Sequence, residues 1–246
     1  MDIGRLHKLC FLDRDNLFKR TVNNVYLLER FSNRLDDIDK DPFIGYFGNE
    51  YEEQKKKVMF LGRSNAESAE WGHDDDKKIN NSFRIFKNSD LDLEKNYRNY
   101  ADKYLDAMPK WNIYKNFVKY FLDNTNLDIN KIAYANSVPF RYKGKPTTGA
   151  FKIAFANFTT ELISLFKPNI IVPLGINDEF LLQRFLPAEL LESIKVCKGI
   201  KRTNGDNFRD SIGQELLDEA IEEYNNLWEI TPSQVYNQKL LKIFDH

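Results

Sequence analysis

The sequence predicts an α/β fold: three layers, α/β/α, around a short and mostly parallel central sheet, with extra helices at the N-terminus. Two observations predict it. Short apolar runs end abruptly at glycine or proline, as buried strands do, and longer segments with apolar residues every three or four positions separate them.

The elements follow in order. Leu17, Val22, Val25, Leu28, Phe31 and Leu35 recur at roughly helical spacing, with Asp15 or Asn16 as a cap, so residues 1–40 read as a docked helical prefix. The charged stretch 36–57, with Pro42, Gly45 and Gly48, is the nearest thing to a linker. It sets the expected division: a helical extension over 1–54 and an α/β domain over 55–246. Val58–Leu61 reads as a buried strand stopped by Gly62, and a polar loop follows. Residues 97–123 read as helix broken near Pro109. "KIAYANSVPF", 131–140, is a second strand with Asn136 inside it. Phe151, Ala154, Phe155, Phe158, Leu162 and Leu165 share a helical face, and Pro168 ends that helix. "NIIVPLG", 169–175, is a third strand, and "SIKVCKGI", 193–200, a fourth. Ser211 with Gln214 forms a capping box for a last helix.

Composition narrows function by exclusion. The 246 residues carry 36 Lys plus Arg against 37 Asp plus Glu, a net charge of -1. Overall charge therefore gives no argument for a polyanion partner. Two cysteines, Cys10 and Cys197, lie far apart without CxxC spacing, which excludes a cysteine-built zinc or iron–sulfur centre and suggests no disulfide framework. Three histidines make no histidine-rich metal site, and no metal or cofactor is expected. No apolar run approaches the ~20 residues of a membrane span, and Asp2, His7, Asp13 and Asp15 interrupt the N-terminus where a signal peptide would be apolar. The expectation is a soluble, cytoplasmic protein.

Open parallel sheets bind ligands beyond the carboxyl ends of their strands. Arg63–Asp76, Asn136–Lys145, Ile176–Glu179 and Lys201–Asn207 should gather at that end. Asn136 stands out, because a buried amide must find partners. Either it bonds local backbone, or it offers a donor and an acceptor to the edge of a nucleobase or amide-like ligand. Gly62 lets a ligand approach the backbone closely. In the loop beyond it, Glu67 and Asp74–Asp76 are candidate general bases, although "DDDKK" also reads as a solvated charge run. His73 alone is weak evidence for catalysis. Phe83 and Phe86 follow outside any clear helix and serve either as stacking rings or as core plugs. Arg141, Lys143, Lys201 and Arg202 fall where phosphate contacts would be needed.

"VMFLGRSN", "IAYANSVPFRYKGKPT" and, after a helix, "LFKPNIIVPLG" together resemble the uracil-DNA glycosylase superfamily over roughly residues 55–205. The resemblance implies a small parallel sheet between helical layers, and hydrolysis of the base–sugar bond of a nucleotide flipped out of DNA. It implies that Asn136 reads the base, Phe83 stacks on it, and the Gly62–Asn65 loop holds the attacking water; Ser64, Asn65, Glu67 and Asp74 are this sequence's own candidates to handle that water. The sequence departs from the family pattern at two places. Arg63 and Ser64 stand where the family has an acid or asparagine, and "KRTNGDN" lacks the late histidine–proline–serine loop. Two rivals stay open: a non-catalytic nucleic-acid-binding protein on the same scaffold, and an unrelated α/β hydrolase of nucleotides or amides built on Asp74–Asp76.

Overall fold

A computed structural model describes residues 1–19, 25–31, 40–64, 73–175, 177–200 and 211–227. In chain order the elements are α1 (Ile3–Leu9), α2 (Arg14–Lys19), α3 (Val25–Leu28), β1 (Tyr46–Phe47), β2 (Val58–Gly62), α4 (His73–Lys87), α5 (Leu93–Ala107) and α6 (Lys119–Asp123). Then come β3 (Ile132–Asn136), α7 (Thr148–Ala154), α8 (Thr160–Phe166), β4 (Ile170–Pro173), α9 (Asp178–Phe185), α10 (Ala188–Ser193), β5 (Lys195–Val196) and α11 (Ser211–Asn226). No helix among the described residues is long and apolar enough to cross a membrane.

The strands lie in the order β1-β3-β2-β4-β5. β3, β2, β4 and β5 run parallel, and β1 pairs antiparallel with β3 at the edge. β2 and β3 are buried along their whole length, as a parallel sheet covered on both faces requires. Successive residues face opposite layers. Phe60 and its register partners Tyr134 and Val172 share one face. There the Phe60 ring meets Phe121 of α6 edge-on at 5.2 Å, and Phe121 lies 5.8 Å from Tyr224 of α11. Phe47 takes the other face, 5.6 Å from Phe166 of α8 and 4.8 Å from Tyr97 of α5.

Local signals act where the sequence places them. Proline stops α5, and Met108–Lys110 forms a tight turn before the chain resumes as a π-turn over Tyr114–Val118. Lys167 adopts a left-handed conformation (φ 48°) that closes α8 just before Pro168. The helix carrying Phe151 to Leu165 is interrupted by a π-turn over Phe155–Thr159, which periodicity alone does not reveal.

The N-terminal segment differs from expectation in two respects. Asp13, not Asp15 or Asn16, caps α2, its carboxylate accepting from the Asn16 N–H at 3.0 Å. And β1 belongs to the central sheet, while Leu6, Cys10, Phe18 and Phe31 share the sheet's core, so a boundary at residue 54 falls inside one packed body. Phe31 sits 4.7 Å from Phe18, 5.0 Å from Tyr142 and 6.0 Å from Phe140. That aromatic cluster anchors the chain that leaves β3.

Candidate functional site

Gly62 and Asn136 end neighbouring strands and are register partners. Asn136 is buried, 1% exposed, and its amide lies across the place where a side chain at residue 62 would begin. A Cβ there would overlap the Asn136 Oδ1 and stand 3.0 Å from the Tyr134 hydroxyl. The ladder continues past both strands: the Ser137 N–H donates to the Gly62 carbonyl at 2.8 Å, and the Val138 N–H to the Arg63 carbonyl at 2.8 Å. The asparagine is therefore fixed relative to β2 by backbone on both sides.

The chain leaves β2 toward β3 on one side of the sheet and leaves β4 toward β5 on the other. The carboxyl ends of β2 and β4 thus flank the point where the strand order reverses, the usual crevice of such sheets. A buried ion pair fills it. The Arg63 Nε donates to Asp178 Oδ1 at 2.8 Å and to Oδ2 at 2.9 Å, with Nη2 2.8 Å from Oδ1. Asp178 opens α9, where the helix dipole favours a carboxylate. Gly175 makes room for the pair, since a Cβ there would overlap the Asp178 carboxylate and the Arg63 guanidinium; a Cβ on Gly199 would overlap the Gly175 carbonyl. The Gly199 N–H donates to Glu179 Oε2 at 2.7 Å, tying the segment after β5 to α9. Turns remote in sequence thus meet at one end of the sheet.

The remaining expected site residues fall out as follows. Ser64 is half-buried just beyond Arg63. Asn65, Glu67, Lys201 and Arg202 lie outside the described residues. Phe83 does not lie outside a helix. It belongs to α4, is 3% exposed, and packs 5.8 Å from Tyr100 in the core. Asp74, Asp75 and Asp76 form the first turn of α4 rather than a loop, again where acids suit the helix dipole. Asp75 accepts from Lys110 at 2.9 Å, and Asp76 pairs with Arg141 at 2.8 Å. Arg141 is 7% exposed, so its guanidinium is spent on Asp76 and not presented to a phosphate. Lys143 is exposed, its Nζ 3.4 Å from the Glu29 carbonyl.

Asp76 and Arg141 also line a small cleft with Asp41, Asn80, Phe83 and Tyr100. Its free volume is ≈ 20 Å³, room for about one water. Asn80 is 7% exposed. Burial pushes the Tyr100 hydroxyl well above its ordinary range.

Sequence reasoning missed Asp178 and Asn80. Asp178 had a signal, an acid just after a glycine-ended strand, but its partner is 115 residues away. Asn80 lies one position from Ile79 on a helix that was read as loop. Among the described residues no group of three His, Cys, Asp or Glu could hold a metal ion. No protein-family model matches the chain, and no curated protein matches its sequence.

Proposed function

We propose that the chain binds a nucleobase flipped out of DNA at the Gly62–Asn136 step and hydrolyses its bond to the sugar. One observation carries the reading: a buried asparagine ends its strand directly beside a glycine, its amide taking the space a side chain there would need, at the carboxyl end of a parallel sheet. An amide on a strand end whose following backbone is bonded to β2 presents its donor and acceptor in the register of the sheet, which is what reading a base edge demands.

In this reaction the oxygen of a water attacks the sugar C1′, the C1′–N bond breaks, and the base leaves with the bonding electron pair. The Asn136 amide N–H groups stabilise the charge that develops on the leaving base. The water gives its proton to a carboxylate, for which Glu67 is the candidate, with Ser64 and Asn65 orienting the water. Lys143, Lys201 and Arg202 remain the candidates for backbone phosphates, and Arg141 drops from that set because Asp76 occupies it. We also place the protein in the cytoplasm, a reducing compartment that suits two buried free cysteines.

The test is a base-release assay on duplexes carrying uracil or modified bases, with wild type and Asn136→Ala compared. Free base from wild type, lost in the variant, supports the enzyme. Salt-sensitive DNA binding without base release would leave a binding module, and neither binding nor release would refute the proposal.

A further inference from the structure

We infer that Thr159 is a positioning residue for Asn136. The inference rests on the reading of Asn136 as the base-binding amide, and it concerns what holds that amide still.

Thr159 lies on the helical layer, 22 positions beyond Ser137, and is fully buried. Its hydroxyl donates to the Ser137 carbonyl at 2.7 Å. The N–H of the same residue donates to the Gly62 carbonyl at 2.8 Å. Both backbone groups of the residue that follows Asn136 are therefore engaged, one by β2 and one by the helix. Without the hydroxyl, the Ser137 carbonyl would lose its anchor to the layer above, and the segment directly after Asn136 would be held by its bonds to β2 and the Arg63 carbonyl alone.

The π-turn gives this contact its purpose. Thr159 is the last residue of Phe155–Thr159, the wide turn that interrupts the helix between α7 and α8. Inserting one residue into a helix rotates everything beyond it, and such turns often accompany functional sites. Here Phe151 and Ala154 stay in the core before the interruption, Phe155 and Phe158 within it, and Leu162, Leu165 and Phe166 after it. The extra residue lets the helix keep its apolar residues inward on either side while Thr159 reaches the segment that follows the asparagine. A threonine needed only for packing would require no hydroxyl, since valine has the same shape.

The experiment follows the side-chain amide resonances of Asn136 in isotope-labelled protein, assigned by their loss in Asn136→Ala. Wild type, Thr159→Ser and Thr159→Val are compared, with Thr159→Ala in reserve if valine does not fold. Each is titrated with free uracil, thymine, cytosine, adenine and hypoxanthine. The expected result is that Thr159→Val shifts or broadens the Asn136 amide signals and weakens nucleobase binding about tenfold or more. Thr159→Ser, which keeps the hydroxyl, retains both. Asn136 signals unchanged in Thr159→Val would overturn the inference, whatever happens to the melting temperature. If no nucleobase perturbs wild-type Asn136, the base-binding reading falls, while the variant spectra still decide whether Thr159 positions the amide.

Discussion

Asn136 and Gly62 face each other across two parallel strands, and the amide occupies the volume a side chain on residue 62 would need. Gly62→Ala should therefore act on the amide before it acts on the fold. The overlapping atom is the end of a side chain, which can swing aside, so the loss of stability should stay within the about 1–3 kcal/mol of ordinary overpacking. The displaced amide should no longer bind base. Chemical denaturation together with base titration checks this; unchanged binding in the alanine variant would show that Asn136 does not need the gap.

The Arg63–Asp178 pair answers a different question, namely what ties the segment after β2 to the start of α9. Both side chains are largely buried, 14% and 7% exposed. Removing one partner deprives the other largely buried charge of this contact, so Asp178→Ala should lose about 3–5 kcal/mol. A chain of this size loses about 2–4 °C of Tm per kcal/mol. The double variant Arg63→Met/Asp178→Leu should recover most of that loss, because no orphaned charge remains. A double-mutant cycle measures the coupling, and strict additivity of the two single changes would contradict a direct pair.

Alkaline pH should unfold the protein steeply. Tyr46, Tyr51, Tyr97, Tyr100 and Tyr104 are buried, and burial raises each hydroxyl above its ordinary value of 10.0. In the unfolded chain these groups ionise near pH 10, while in the folded chain they stay protonated. The unfolded state then binds fewer protons, so stability is fully present below about pH 10 and falls as pH rises above it. Five such groups give a slope of about 7 kcal/mol per pH unit, at about 1.36 for each. Tyrosinate absorbance should appear together with loss of helical circular dichroism. Ionisation of these tyrosines well before unfolding would mean that water reaches them.

Much of this was legible in the chain, and the reason differs between elements. Val58–Leu61 and "NIIVPLG" read as strands because burial on both faces leaves a continuous apolar run ended by a residue that cannot extend it. β1 did not, because two residues carry no pattern and Tyr46–Phe47 gains its place only by pairing with β3. α4 was hidden by its own cap: Asp74, Asp75, Asp76, Lys77 and Lys78 look like a solvated run, although Ile79, Phe83 and Phe86 behind them keep helical spacing. Asn136 was found because one amide in an apolar strand is anomalous by itself. Arg63 with Asp178, and Thr159 with Ser137, could not be found that way, since each is a contact between ordinary residues that only the topology brings together.

Asn80 supplies the last expectation. The residue is 7% exposed beside a cleft of ≈ 20 Å³. Burying an amide costs free energy that burying an apolar side chain does not. Leucine has a similar size and would add apolar contact with Ile79 and Phe83 along the same wall. The Asp76–Arg141 pair next to it would keep its own partner. Asn80→Leu should therefore raise stability by about 1 kcal/mol in urea unfolding, with base binding at Asn136 unchanged. If the substitution destabilises instead, the amide is bonded to a water held in the cleft, and a polar replacement such as Asn80→Ser should then be tolerated better than leucine.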